Sequence, residues 1–462
     1  MARRRGPDRR APWCGGWLLA AGWAGAFPLV SGLGPHRLWG LCATAGYLAA
    51  ATAVLALPGR RGRTASVALA LAGALVLPLL ALVLTGQGQS EVGVIERSGA
   101  QLLHHGTPYL AEPRTVQEYT PYLPGMALFG LPRALLGADG WVVRLLGDAR
   151  LWCAAAFLGC LLPTARRTPG LAALIASPLV ALPLCVSGVD LPLTGLCCLA
   201  LALAAPAGGR LHPGGRRAAR GRLRDAAAGA RPGAAGLALA AACALKWTAW
   251  PAVAVVAALL AATAGRRAAV RCASVALAGT AALVLPGALR SPGPLLEQVF
   301  AFPTGRGGLP TPAGSPLPGR LLAQLGPGGW YLAVALLLLA GLAVAASLLL
   351  RPPRDAVAAA DRLALGLCLA FLLAPAGRFG YLALPLVLVL HARSRAHRPD
   401  PATHLHPAGP ATHLHPAGPA DQVHPADPAD QVHPADPRTE AEPTPWVPRS
   451  SSPTTSRPAR AA

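Results

Sequence analysis

The sequence has few acidic residues, a single lysine and no Cys-x-x-Cys pair. Asp and Glu together number 19 against 41 Lys and Arg, which gives a formal net charge of +22. Its ten cysteines lie in or at the edge of apolar segments, and none falls in a long polar loop. Cysteines in such positions are typical of small hydrophobic residues inside helices, so we expect neither disulfides nor a metal or redox centre.

The basic charge accompanies a strongly apolar composition, since 53% of the residues are hydrophobic and the mean hydropathy is +0.45. A soluble domain would need far more polar surface to cover them. The arginines instead cluster at the ends of apolar segments, where orientation in a membrane explains them without nucleic acid as a partner. The sequence therefore predicts an all-α, polytopic transmembrane helix bundle.

About twelve apolar segments approach the roughly 17–25 residues that a membrane span requires. Several are short and rich in Gly, Ala and Pro, which is typical of tightly packed membrane bundles. The predicted spans are 14–33, 38–57, 66–84, 149–162, 170–186, 191–205, 234–245, 247–264, 272–289, 329–349, 363–374 and 381–391.

Arginine distribution predicts the orientation of this bundle. With a cytoplasmic N-terminus, the inner connections contain the arginines at 60–63, 166–167, 210–231, 266–271 and 351–362. The outer connections, of which 85–148 and 290–328 are the longest, are much less basic for their length. We therefore expect a plasma-membrane protein with both termini in the cytoplasm, and we interpret the first apolar segment as an anchored helix.

One further apolar stretch, 121–137, contains three prolines and an arginine. Counting it as a thirteenth span would place every later basic loop outside, so we predict a helix in or dipping into the outer interface. We assign residues 1–10 to a basic cytoplasmic segment and 11–391 to the membrane domain.

The C-terminal segment 392–462 contains four nonapeptide repeats at 401–436. A Pro/Ala/His composition without apolar periodicity cannot bury a core, so this tail should be disordered. Its seven histidines between His397 and His433 permit weak metal binding, but a repeat-expanded linker is the favoured interpretation.

The first long outer loop, 85–148, concentrates polar side chains next to the membrane. Carboxylates near a low-dielectric boundary have raised pKa values and can act as bases near neutral pH. On composition alone, solvated charges are the favoured interpretation. The residues concerned are Glu91, Glu96, His104, His105, Tyr109, Glu112, Glu118 and Tyr119.

Several motifs follow one another in a fixed order over about residues 65–390. They are the acidic Glu91, a helix ending in Leu102-Leu103, Gly-Thr-Pro-Tyr at 106–109, Tyr-x-Pro at 119–121, Asp-x-Arg at 148–150, ALKWTAWP at 244–251 and AGRFGYLALP at 376–385. This order resembles the GT-C superfamily of membrane glycosyltransferases, and most of all glycosyltransferase family 87, which includes actinobacterial polyprenyl-phosphomannose-dependent alpha-mannosyltransferases.

This resemblance implies transfer of a hexose, with mannose favoured, from a polyprenyl-phosphate sugar to the hydroxyl of a glycan or glycolipid acceptor at the outer face. Glu91 matches the family's usual catalytic aspartate, and Glu96 is the alternative base, or else a solvated residue. The glutamate moves the carboxylate one methylene further out. It therefore leaves open either an altered geometry or a scaffold without catalysis.

The resemblance also implies that Lys246 and Arg378 bind the donor phosphate. Lys246 is predicted at the outer tip of a short hairpin, where an ammonium needs an anion or access to water; snorkelling is thus equally consistent. Arg378 is alternatively a helix cap or interfacial anchor. Asp190 is more consistent with a helix cap than with a site carboxylate, because Pro192 follows. Possible substrate-binding residues are His104, His105, Tyr109, Tyr119, Asp190 and Arg320.

The sequence contains no Asp-x-Asp motif and no glycine-rich phosphate loop after a strand. These absences argue against a nucleotide-sugar donor and favour a lipid-linked one, with no metal or other cofactor firmly implied. A transporter or lipid flippase is the alternative function. It predicts charged residues near the bilayer midplane, and the apolar segments contain almost none.

Overall fold

A computed structural model describes residues 10–137, 139–164, 169–205 and 231–396. Within these ranges all regular secondary structure is helical, and the β-type pairing is an isolated bridge between Gly314 and Gly377. The predicted all-α class is therefore confirmed for the described residues. The nonapeptide repeats and most of the predicted disordered tail lie outside them.

The α-helices follow one another closely along the chain. In order they are α1 (Arg10–Val30), α2 (Gly34–Ala56), α3 (Gly59–Leu84), α4 (Ser90–His105), α5 (Leu131–Leu136), α6 (Trp141–Gly147), α7 (Ala149–Leu161), α8 (Pro169–Ala176), α9 (Pro178–Val186), α10 (Leu191–Ala204), α11 (Pro232–Leu245), α12 (Trp250–Thr263), α13 (Arg266–Arg290), α14 (Pro292–Leu295), α15 (Pro318–Ala323), α16 (Pro327–Leu350), α17 (Ala356–Leu373) and α18 (Ala383–Ala396).

Among the described residues, six helices are long and apolar enough to cross a membrane: α1, α2, α3, α13, α16 and α17. Four shorter apolar helices accompany them, namely α7, α10, α11 and the helical stretch Trp247–Thr263. The protein is therefore a helical membrane protein. Each of the twelve predicted segments contains helical structure, although several of these helices are shorter than a bilayer-crossing helix.

The predicted span 170–186 differs most from the expectation, because it forms two short helices, α8 and α9. Ser177 between them has an extended backbone with ψ of 153°. The residue before a proline is disfavoured in the helical region, so Pro178 ends one helix and begins the next. The carbonyl of Ala176, at the end of α8, accepts a hydrogen bond from the Tyr47 hydroxyl at 2.7 Å.

A π-helical turn at Ala72–Val76 interrupts α3 in a similar way. The indole Nε1 of the fully buried Trp39 donates to the carbonyl of Ala74 in this turn at 2.8 Å. Aromatic side chains of α2 thus satisfy backbone groups where neighbouring helices depart from regular geometry. These bonds join α2 to α3 and α8, within an apolar core that also includes residues of α1 and α9.

The apolar stretch 121–137 does not form a helix of spanning length. It begins as a 3₁₀ segment, Pro124–Gly130, and continues into the six-residue α5. It packs closely on α4, because a Cβ atom added to Gly130 would lie 2.0 Å from the Ile95 carbonyl oxygen. The glycine at this position permits the direct backbone contact that holds α4 in place.

The start and end of the first long loop meet at a buried ion pair. The Arg150 guanidinium donates to both carboxylate oxygens of Asp148, at 2.9 and 2.7 Å. Its remaining nitrogen donates to the carbonyls of Gln87 and Cys185, at 2.8 and 2.9 Å. Because Gln87 follows α3 and Asp148 precedes α7, this arginine fixes the loop to the helix bundle.

Candidate active site

Four charged side chains that are far apart in the sequence meet in two ion pairs. The Arg378 guanidinium donates to the Glu91 carboxylate, and Lys246 Nζ lies 2.8 Å from Asp190 Oδ1. Each residue lies at or near a helix end: Glu91 in the first turn of α4, Asp190 before α10, Lys246 after α11 and Arg378 beyond α17. The fold therefore gathers them at the helix ends.

Backbone pairing positions Lys246 beside the first long loop. The Leu123 amide donates to the carbonyl of Leu245 at 3.0 Å. The Lys246 ammonium then lies 5.6 Å from the Tyr122 ring centroid and 4.9 Å from that of Tyr381. Cation–π attraction and the Asp190 carboxylate stabilise this ammonium, whereas a snorkelling lysine would direct it to water.

Asp190 corrects one sequence interpretation. It does occupy the N-cap position of α10, as the cap interpretation requires, but its side chain makes no capping hydrogen bond. The carboxylate pairs with Lys246 instead, because a charged donor is a stronger partner than a backbone amide. The favoured role of Asp190 as a helix cap is therefore wrong.

Both cations of the cluster stay protonated. Burial acts to lower the pKa of Lys246, but the Asp190 carboxylate and Tyr381 together outweigh it and the pKa rises above its usual value. The same balance holds for Arg378, where burial is outweighed by Glu91 together with Tyr381 and Tyr122, and the pKa is raised. Two fixed positive charges are thus available at neutral pH.

A cavity of about 210 Å³ adjoins these pairs and is lined by Glu91, Lys246 and Arg378. Tyr119, Tyr122 and Tyr381 contribute aromatic surface to the same lining. Two helices of membrane-spanning length supply apolar side chains to it, with Leu337 from α16 and Leu367, Ala370 and Phe371 from α17. The cavity therefore offers both fixed charge and an apolar wall.

The second long loop, 290–328, packs over the first and completes the cavity. The Phe302 ring stacks on Tyr119 at a centroid distance of 4.2 Å. The Tyr119 hydroxyl donates to Glu297 Oε1 at 3.4 Å, and the Gly308 amide donates to the same oxygen at 2.6 Å. Glu297 was not predicted as a site residue. Its rarity was a usable indication, since it is the one acidic residue in 290–328.

Gln298 makes a second connection between the two loops. Its fully buried side chain accepts from the Thr120 amide at 3.0 Å and donates to the Leu110 carbonyl at 2.6 Å. A hydrogen bond between the Thr107 and Ser291 hydroxyls adds a third contact. These bonds fix the loop segment that contains Tyr119 relative to the loop segment that contains Phe302.

The alternative base Glu96 does not line the cavity. Five positions along a helix correspond to a rotation of about 140°, so Glu96 faces away from Glu91. Its carboxylate lies 3.3 Å from Arg133 Nε and accepts from the Ala149 amide at 3.4 Å. Burial raises the pKa of Glu96 despite these partners.

Of the residues with a predicted substrate-binding role, Tyr119 alone lines this cavity. Asp190 is not part of the lining but pairs with Lys246, which is. His104 and His105 are exposed at the end of α4, where Gly106 in a left-handed conformation ends the helix. Tyr109 is buried and donates to the Tyr122 carbonyl at 2.9 Å. Arg320 lies in α15, outside the cavity lining.

In the ranges that the structure describes, no group of three or more His, Cys, Asp or Glu side chains is arranged to hold a metal ion. Comparisons with known proteins found no family model, no curated protein and no solved structure that matches the chain.

Proposed function

We propose that the protein is a GT-C-type glycosyltransferase that takes a hexose from a polyprenyl-phosphate sugar and transfers it to an acceptor hydroxyl. Mannose is the sugar that the resemblance to family 87 favours. The observation that carries the proposal is the cavity in which Glu91, Lys246 and Arg378 adjoin the apolar side chains of α16 and α17. A polyprenyl-phosphate sugar has the complementary composition of a phosphate head and a hydrocarbon tail.

The proposed topology has about twelve spans, both termini in the cytoplasm and the cavity at the outer face of the plasma membrane. Helix α3 supports it, because Arg60, Arg61 and Arg63 lie at its start and the loop containing Glu91 follows its end. A helix of 26 residues is about 39 Å long, which is roughly the thickness of a bilayer. Positive charge and the cavity are therefore at opposite ends of this helix.

In the proposed reaction, Glu91 accepts the proton of the acceptor hydroxyl as its oxygen attacks the anomeric carbon. The bond from that carbon to the phosphate oxygen breaks, and its electron pair leaves with the polyprenyl phosphate. Lys246 and Arg378 stabilise the negative charge that develops on the phosphate. A single displacement of this kind inverts the configuration at the anomeric carbon.

The direct test is sugar transfer from labelled polyprenyl-phosphate mannose to glycolipid acceptors in membranes that contain the protein. We expect Glu91→Gln to reduce transfer by about 100-fold or more, because a general base contributes about 10²–10⁴-fold. Glu96→Gln distinguishes the two carboxylates and should retain transfer.

Full activity of Glu91→Gln would exclude Glu91 as the base. If purified protein in vesicles moves the lipid across the bilayer and transfers no sugar, the transporter or flippase alternative is correct and the proposed function fails.

A further inference from the structure

The charged groups of the cavity neutralise one another. Lys246 and Arg378 each contact one carboxylate, so the four side chains carry no net charge. An anionic head group that enters this cluster gains little attraction while both pairs persist, and it meets two carboxylates of like charge. Binding of an anion therefore requires that one pair opens.

We infer that Glu91 occupies the anion position on Arg378 in the ligand-free protein and that a lipid phosphate binds by displacing it. The inference rests on the proposed function for the class of ligand. It adds a competition within the site: the carboxylate that acts as base also blocks the donor phosphate until the donor arrives.

The two pairs differ in how firmly they are held, and the difference selects Arg378 for this exchange. The Lys246 side chain is 13% exposed and lies against the rings of Tyr122 and Tyr381. The Arg378 side chain is 31% exposed and extends from a connection between α17 and a 3₁₀ turn. Arg378 therefore has room to exchange one anion for another, whereas Lys246 keeps its carboxylate.

Glu91 retains other stabilising interactions when it leaves Arg378. Its second oxygen, Oε2, lies 3.4 Å from the Ser90 hydroxyl. Glu91 also lies in the first turn of the 16-residue α4, where the helix dipole favours a negative charge. The displaced carboxylate is thus free of its cation and still faces the cavity, as a base for the acceptor hydroxyl must.

Binding of farnesyl phosphate to the purified full-length protein in detergent, measured by calorimetry, tests the exchange, with farnesol as the uncharged probe. We expect Glu91→Gln to bind farnesyl phosphate about ten-fold more tightly than wild type and Arg378→Gln to bind it about ten-fold more weakly. Farnesol should bind all variants equally.

Glu118→Gln is the matched control, because it removes a carboxylate between the cavity-lining Val116 and Tyr119 without breaking either ion pair. It should bind farnesyl phosphate as wild type does. Unchanged or weaker binding by Glu91→Gln overturns the inference, and so does an equal gain in Glu118→Gln, which would indicate a general effect of charge.

Sugar transfer measured on the same preparation separates two kinds of failure. If wild type transfers sugar and Glu91→Gln does not bind more tightly, the exchange is wrong and the proposed function stands. If farnesyl phosphate binds wild type and Glu91→Gln no better than farnesol does, both are wrong.

Discussion

The ion pair of Arg150 with Asp148 and the pair of Arg378 with Glu91 lie near the same loop and differ in almost every physical respect. Arg150 and Asp148 are 1% and 5% exposed, and the arginine has four hydrogen bonds to oxygen atoms of the protein. Arg378 and Glu91 are more exposed, and both line a cavity. The first pair is surrounded by protein atoms, whereas the second pair is accessible from the cavity.

The comparison indicates how to separate structural from functional charge in this protein. When a buried charge has all its hydrogen bonds, removing its partner leaves it unpaired and greatly reduces the stability of the protein. A charge beside a cavity costs less to remove, because water can replace the partner, and it is available to a ligand. Breaking the Arg150–Asp148 pair should therefore mainly reduce stability, and breaking the Arg378–Glu91 pair should mainly reduce activity.

The largest loss of stability is expected for Arg150→Met. Asp148 would remain as a buried, unpaired carboxylate, and the carbonyls of Gln87 and Cys185 would lose a donor. We expect the free energy of unfolding to fall by about 3–5 kcal/mol, measured by thermal or denaturant unfolding of the purified protein.

Arg393→Ala is the control for that substitution. It breaks the exposed pair with Asp361, whose side chains are 53% and 41% exposed, and it should cost about 1 kcal/mol or less. Similar losses of stability in Arg150→Met and Arg393→Ala would contradict the contrast between buried and exposed ion pairs.

Gly130→Ala tests whether the loop that carries Glu91 is positioned by backbone contact. The added methyl would lie 2.0 Å from the Ile95 carbonyl oxygen, so α4 must move away. We expect a loss of about 1–3 kcal/mol in stability together with reduced sugar transfer.

Gly93→Ala, on α4, is the control, because its new Cβ meets no atom within 4 Å. Alanine has a higher helix propensity than glycine, so this variant should be neutral or more stable by about 1 kcal/mol or less. If Gly130→Ala behaves like Gly93→Ala, close packing does not position Glu91.

The pair of Lys246 with Asp190 sharpens the comparison through a double variant. Lys246→Met leaves Asp190 without its cation, but this carboxylate is 28% exposed and water lowers the cost. The loss should be smaller than for Arg150→Met, and adding Asp190→Asn should restore most of it without restoring sugar transfer.

The corresponding double variant Asp148→Asn with Arg150→Met should recover only part of the loss, because Asp148→Asn removes the unpaired charge but the carbonyls of Gln87 and Cys185 still lack a donor. Unfolding measurements on wild type, the four single variants Lys246→Met, Asp190→Asn, Arg150→Met and Asp148→Asn, and the two double variants give both coupling energies. If both double variants regain the same fraction of the lost stability, the two ion pairs do not differ in the way described.

The smallest effect is expected at Glu118, a half-buried residue outside both pairs. Backbone amides of Arg114 and Thr115 donate to it and lower the pKa of Glu118. A lowered pKa means that its stabilising contribution is complete above the usual range of a glutamate and is lost as the pH falls through the lowered value. Wild type and Glu118→Gln should therefore differ slightly at pH 7 and converge in acid, as followed by thermal unfolding.

Much of the helical fold could be predicted from the sequence, because apolar periodicity is a local property. All twelve apolar segments contain helical structure. The break at Ser177 was not predicted, although Pro178 supplies the local cause. The buried role of Arg150 was not predicted either, because its carbonyl partners at Gln87 and Cys185 follow from how the helices pack.

The candidate site was predictable as a set of residues but not as a set of pairs. The resemblance to family 87 singled out Glu91, Lys246 and Arg378 by their positions in its motifs. The partners could not be assigned, because Glu91 and Arg378 are 287 positions apart and their contact depends on the register between helices. For the same reason the cap role of Asp190 was preferred, since Lys246 was not known to lie beside it.

Lys246 is the one lysine in the chain, which gives the cavity a natural chemical handle. An amine-directed reagent has a single side-chain target in this protein, so mass spectrometry after brief labelling reports directly on one position. The Asp190 carboxylate keeps the amine protonated and slow to react, and Asp190→Asn should accelerate the labelling. Protection by a bound ligand would then measure occupancy of the cavity in native membranes, without any engineered probe.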